Sequence, residues 1–238
     1  MSDSSVTHAD GLVARTVAAI IALIRTENLH IGDSLPSENA LTERLGVSRV
    51  IVREANRSLS ALGVLDIGNG RAARVSVPDY AIFGMMFDHV VYTNHVSVQQ
   101  VLAVRRSIEI STAALAATHR TEAEAQVILA HAAGMRRDFA QPSAVMEHDL
   151  KLHVAIAEAA RNPMFTTMVR AFESVTRANW SIGWQSRAGE SGRWKMIEVH
   201  EAIARAVADR DIHAAQDAMS AHFDDTVQAL KEAGAANL

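Results

Sequence analysis

From residue 81 to residue 233 the chain reads as helix interrupted only by short breaks. Apolar positions recur at three- and four-residue spacing through stretches near 81–94, 97–119, 121–139, 143–160, 163–184, 190–208 and 211–233. The stretches part at Ser97, at Gln141–Pro142, at Asn162–Pro163, at the Gly/Ser-rich "SRAGESG" and at Asp209–Asp211. Connections this short make each helix fold back beside the one before it. The pattern therefore predicts an all-α antiparallel bundle of six or seven helices. An apolar fraction of 49% in 238 residues is enough to fill its core.

Composition narrows the chemistry. The chain contains no cysteine, which excludes disulfides, iron–sulfur clusters and thiolate metal sites, so any metal must be held by nitrogen and oxygen. No apolar run approaches the roughly 20 residues of a membrane span, and "MSDSSVTHAD" lacks the basic and apolar regions of a secretory signal. A soluble, cytoplasmic protein with no membrane partner is expected.

The first third is organised differently. Residues 10–27 form an amphipathic helix pattern with Val13, Val17, Ile20, Ile21 and Ile24 on one side. After the turn "LHIGDSLPS", Ser37 can cap the short helix "ENALTERL", which Gly46 ends. Ser48 can cap a further helix to about Leu62, broken by Gly63, and "VLDIGNGRAARVSV" reads as a small hairpin about a Gly-Asn-Gly turn. Helix, helix–turn–helix and hairpin make a winged helix-turn-helix in outline. The expected organisation is a reading head at 10–77, a linker at 78–80 and the helical domain at 81–233.

Charge separates the two parts. Residues 44–74 carry six arginines against two acids, whereas residues 78–238 carry 15 Lys/Arg against 19 Asp/Glu. A basic module joined to an acidic one suggests a nucleic-acid reader with an appended domain. In "VSRVIVREANRSLSALG", Val52, Ala55, Leu59 and Leu62 form one stripe, and Arg49, Arg53 and Asn56 or Arg57 recur on the other face. A recognition helix needs that division, with arginine able to bind guanine bidentately and Val50 or Ile51 able to meet a thymine methyl. Arg71 and Arg74 on the wing would meet phosphates or the minor groove. A solvated arginine face is the competing interpretation of the helix taken alone.

In "HDLKLHVAIAEAARNP", Asp149 and His153 sit four apart on one helical face among apolar positions. His200 and His222 lie eleven residues before and after residue 211, the centre of the expected turn. In an antiparallel pair they would stand level, and Asp149 and His153 could complete a cluster of one carboxylate and three imidazoles. Such a set suits Zn, Mn, Ni or Fe with positions left open. The alternative is four unrelated polar residues in a chain of 11 histidines. His8, His30, His89, His95, His119, His131, His148 and His213 show no comparable spacing. Trp180, Trp184 and Trp194 flank the Gly/Ser-rich stretch and are expected to be packing residues.

The segment "IGDSLPSENALTERLGVSRVIVREANRSLSALGVL" resembles the signature of GntR-type transcription regulators, with "LPSE", "LGVSR" and "VREA" in register and "IGNGRAARV" where that family has its wing. The resemblance implies a DNA-contacting set of Asn39, Ser48, Arg49, Arg53, Arg57, Asn69, Gly70 and Arg71. Asn39 stands where the family usually has an arginine, and Asn56 where it commonly has leucine. Residues 81–233 are similar to the FCD effector domain of the FadR subfamily, through "VRRSIEISTAALAA", "HDLKLHVAIAEAARNPMF", "EVHEAIARAVADRD" and "AMSAHF". That resemblance implies a divalent metal held by Asp149, His153, His200 and His222, and an effector carboxylate met by Arg105. A surface ion pair, with Glu109 one turn away, is the plainer role for Arg105.

The expected function is a metabolite-responsive regulator, most often a repressor in such a family. It would act as a homodimer on a near-palindromic operator in double-stranded DNA, and it would sense a small carboxylate such as a sugar acid or hydroxy acid. It is not expected to be an enzyme. Two rivals are a metalloenzyme carrying a DNA-binding module and a regulator whose metal only staples the bundle.

Overall fold

The computed structural model describes residues 3–68, 71–187 and 189–234. The chain forms two compact units, residues 1–82 and 83–238. Among the described residues the first unit holds α1 (Asp3–Thr26), α2 (Glu38–Leu45), α3 (Arg49–Ala61), β1 (Leu65–Asp66) and β2 (Arg74–Val75). α1 begins earlier than the apolar periodicity that starts at residue 10.

The caps fall where short polar side chains and glycines allow them. Ser37 accepts from the Ala40 amide at the start of α2, and Ser48 accepts from the Ile51 amide at the start of α3. Gly46 closes α2 at φ 65°, in the left-handed region. β1 and β2 are antiparallel with Leu65 opposite Val75, and Ser34 bridges Arg74 to add a third edge. Ile20, Leu35, Ala55, Leu59 and Leu65 form the core of this unit. Truncating Leu59 to alanine there would cost about 2–5 kcal/mol. Leu62 departs from the expected stripe: it is the C-cap of α3 and is 51% exposed. Asn56 takes an inward position instead, buried at 6% exposure, because it lies one turn from Val52 and Leu59 on the same face. Gly63 has φ +70°, and a Cβ there would meet the Pro78 Cα at 2.9 Å, so only glycine fits.

The helical unit comprises α4 (Tyr80–Tyr92, which starts at the end of the first unit), α5 (Val98–His119), α6 (Glu122–Arg137) and α7 (Pro142–Ala159). α8 (Pro163–Ala171), α9 (Glu173–Ser186), α10 (Gly189–Ala208) and α11 (Ile212–Glu232) complete it. Capping boxes open α5 at Ser97/Gln100 and α6 at Thr121/Glu124. Pro142 and Pro163 occupy the first positions of α7 and α8, where their missing N–H is not needed. α5 packs on α7, α10 and α11, and α10 packs on α6 and α11. Leu152, Ile156, Ile203, Met219 and Phe223 meet between them in a closed core.

One helix expected from the sequence is two. The stretch 163–184 breaks at Phe172 (φ −81°, ψ −9°), which ends α8 and precedes α9. No glycine or proline marks the place. Phe172 is buried and stacks on Phe87 with ring centroids 5.0 Å apart, so tertiary packing sets the bend.

Candidate functional site

Two sites emerge, one in each unit. In the first, α2, α3 and the wing border a groove of about 690 Å³ whose walls include Glu38, Asn39, Arg49, Arg53, Arg57 and Arg71. The groove follows from the sequence: the Val52/Ala55/Leu59 stripe holds α3 down and turns its arginines outward. Arg49 and Arg53 both point Nε at Glu38 Oε2, at 3.1 and 3.0 Å. Burial pushes the Glu38 carboxyl up, but hydrogen bonds and charge from these two arginines hold it below the usual carboxylate range. Glu38 stands in the "LPSE" motif, yet nothing in the motif announces that it gathers the arginine pair.

The other members of the set are distributed around this pair. Arg57 reaches Glu54 at 2.7 Å, and Arg71 on the wing reaches Asp66 at 2.6 Å. Asn39 is exposed beside Glu38, and Ser48 is the cap that sets where α3 starts. Val50 is 68% exposed, free to touch an apolar base edge. Asn56 is buried and does not belong to the outward face, and Arg74 donates to the Gly32 carbonyl at 2.6 Å to fix the wing's base. Asn69 and Gly70 lie outside the described residues.

In the second unit, His153 from α7, His200 from α10 and His222 from α11 converge. One ring nitrogen from each lies within 4.8 Å of the other two. Asp149, one turn before His153, places Oδ1 3.3 Å from His153 Nε2 and 3.2 Å from His200 Nε2. Both Nε2 atoms are buried without a hydrogen bond of acceptable geometry. His200 Nδ1 lies 2.7 Å from the Met196 carbonyl, which can only accept, so the ring proton sits on Nδ1 and the Nε2 lone pair faces the Asp149 carboxylate. A proton on Nε2 or a metal cation between Nε2 and Oδ1 satisfies both atoms at this 3.2 Å separation. The orphaned nitrogens thus fit a divalent metal, which would polarise an oxygen ligand at any open position.

A cavity of about 60 Å³ opens beside the cluster, lined on its polar side by Asp149, His222, Arg105, Thr176 and Trp180. Arg105 is buried. Its Nε lies 2.8 Å from Glu109 Oε1, and its Nη1 donates to Thr176 at 2.6 Å. The Arg105–Glu109 pair is therefore present but internal, with side chains 7% and 1% exposed, and is not a surface pair. Glu109 Oε2 meets His153 Nδ1. Trp180 donates its indole N–H to Asp149 Oδ2 at 2.6 Å, a polar role beyond packing. Trp184 and Trp194 pack around Phe139.

Charge in the pocket is tightly balanced. Burial pushes the Glu109 carboxyl up, but Arg105 and His153 hold it down at about 2. Burial pushes His153 down, yet Glu109 and Asp149 raise it to about 9. Burial raises Asp149 too, and the facing His200 and His153 bring it well below the usual carboxylate range. His222 is lowered well below the ordinary imidazole value, first by burial and then by the other two histidines. It is a neutral, available ligand.

Residues 12–75 match the gntR family of bacterial regulatory proteins, and residues 100–225 match the FCD domain. The chain belongs to the GntR family. This GntR-family chain is similar to the HTH-type transcriptional regulator LutR of Bacillus subtilis (strain 168), 28% identical over 215 residues that span 87% of this chain and 96% of LutR. It is also similar to the HTH-type transcriptional repressor NanR of Citrobacter rodentium (strain ICC168), 28% identical over 212 residues, 85% of this chain and 78% of NanR. A solved structure, Streptococcus agalactiae GntR, shares the fold with a TM-score of 0.61 over 90% of this chain and 97% of that one, at 23% identity. GntR-family chains of this kind are transcription regulators, so the protein is a DNA-binding regulator and not an enzyme. Its FCD domain implies a small-molecule effector. No helix among the described residues is long and apolar enough to cross a membrane.

Proposed function

We propose that the protein represses transcription in response to a small carboxylate, which binds at a divalent metal in the FCD domain with Arg105 as its second anchor. Residues 10–77 act as the reading head, 78–80 as the linker and 81–233 as the sensor. Asp149, His153, His200 and His222 hold the metal, drawn from Zn, Mn, Ni or Fe, the set that nitrogen and oxygen donors favour. The single observation that carries this reading is the orphaned Nε2 pair of His153 and His200 facing Asp149, beside a cavity that also presents Arg105. Arginine's planar fork suits a carboxylate, and an acid oxygen suits an open metal position.

A homodimer presents two copies of α3 to successive major grooves of a near-palindromic operator. Arg49, Arg53 and Arg57 read bases or phosphates, with Asn39 and Ser48 beside them and Asn69, Gly70 and Arg71 on the wing. Repression as the direction of control rests on the similarity to NanR, which is named a repressor. Control requires the acid to favour one DNA-binding state, and a 100-fold preference is worth about 2.7 kcal/mol.

Melting of the metal-loaded protein tests the sensor. Against a panel of sugar acids, hydroxy acids and dicarboxylates, an acid at 100 times its Kd adds about 2.7 kcal/mol, or roughly 5–10 °C for a chain this size. The shift should vanish on chelation. Chelation that lowers the melting point while no acid raises it would leave the metal a staple only.

A further inference from the structure

Glu109 touches both halves of the sensor. Oε1 faces Arg105 Nε at 2.8 Å, Oε2 meets His153 Nδ1, and the side chain is 1% exposed. Arg105 donates its Nε–H to Oε1, whereas His153 Nδ1 abuts Oε2 outside hydrogen-bond geometry, and neither of these two buried atoms has another partner. A carboxylate accepts from two donors at once, one through each oxygen, and no other side chain of this length does. We propose that Glu109 is a positioning residue shared by the metal ligand His153 and the acid-binding Arg105, so that metal loading and acid binding are coupled through one carboxylate. This rests on the metal and Arg105 roles assigned above.

The coupling has a definite mechanism. Accepting from Nδ1–H keeps the His153 proton on Nδ1 and leaves Nε2, the atom facing Asp149, as the ligand. The other oxygen fixes the Arg105 guanidinium about its Nε–H, while Thr176 takes Nη1–H. An acid that shifts Arg105 moves Glu109 and with it the His153 ring, whereas removing the Arg105 side chain leaves Oε2 at His153. The coupling is reciprocal: metal raises the affinity for the acid by the same factor as the acid raises the affinity for metal.

Glu109→Gln tests this with little change in volume. The amide has one acceptor and one donor, and an NH₂ facing the Arg105 cation is repelled. Its oxygen therefore stays with Arg105 and its NH₂ meets His153 Nδ1. That drives the ring proton to Nε2, where the metal must bind. Zinc affinity, measured on the full-length protein by chelator competition, should fall about 10–100-fold. Nitrogen NMR of the metal-free protein above pH 9, where the His153 ring is neutral, should show its proton moved from Nδ1 to Nε2. In the double variant Arg105→Met/Glu109→Gln the amide is free to turn its oxygen to His153, and zinc affinity should recover most of the loss, while Arg105→Met alone keeps zinc. A wholly structural Glu109 would give a double variant no better than Glu109→Gln, and that result overturns the proposal. So does wild-type affinity in Glu109→Gln. Failure of the wild-type protein to bind one zinc per chain would sink the metal assignment itself, and this inference with it.

Discussion

The indole of Trp180 donates to Oδ2 of Asp149 at 2.6 Å, while Oδ1 of the same carboxylate faces His153 and His200. Trp180 is itself held flat against Trp184, with ring centroids 5.1 Å apart. The carboxylate that faces two candidate ligands is thus aimed by a ring that cannot rotate freely.

Trp180→Phe retains the stacked ring and removes only the N–H. Asp149 should then lose its aim, and zinc affinity should drop by about 10-fold or more. Chelator competition measures it, and wild-type affinity would assign Trp180 to packing alone.

In the reading head, Arg53→Ala should weaken operator binding by about 1–3 kcal/mol with metal content unchanged. Glu38→Gln removes a negative charge from the groove and releases Arg49 and Arg53 from their shared partner. Binding to random DNA should strengthen while the preference for the operator shrinks. Anisotropy titrations at one fixed salt concentration compare the two, and an unchanged preference would show that the arginines need no such holder.

His200→Ala removes a ligand from the centre of the cluster and should abolish stoichiometric metal while DNA binding by the first unit persists. Arg105→Ala should keep the metal and lose the thermal response to the acid. Metal analysis beside melting curves separates the two variants.

Proton release gives a further check. With His153 raised to about 9 in the metal-free protein, metal must displace a proton at neutral pH. Apparent affinity should fall about tenfold for each pH unit below that value while one proton is displaced. For stability the sign is that of a raised histidine. The contribution is complete below the unfolded value near 6.5 and is lost as pH rises through about 9. Calorimetry in buffers of different ionisation enthalpy counts the proton, and pH-independent zinc affinity between 6 and 8 would contradict it.

The four candidate ligands were legible because regular helices turn sequence spacing into position. Asp149 and His153 share a face of the unbroken α7, and His200 and His222 flank the α10–α11 turn, ten residues before and twelve after its centre at Arg210. The caps of α2 and α3 were legible for a similar reason, since Ser and Gly mark helix ends chemically. The spacing of Glu109 from Arg105 was legible, but its contact with His153 and that of Trp180 with Asp149 were not, because those partners come from another helix. Phe172 carries no breaker, and its stacking on Phe87 from another helix is not visible in its own stretch of sequence. Asn56 is polar by type, which points to the surface, but its spacing from Val52 and Leu59 puts it inside.

Gly63 lies directly beyond α3, with the Pro78 backbone so close that no side chain could pass between them. The segment leaving the first unit consequently passes against the C-terminal end of α3, the helix whose first turns carry Arg49 and Arg53. A Cβ at residue 63 therefore has to push apart the end of α3 and the backbone at Pro78, and Gly63→Ala should unsettle both together.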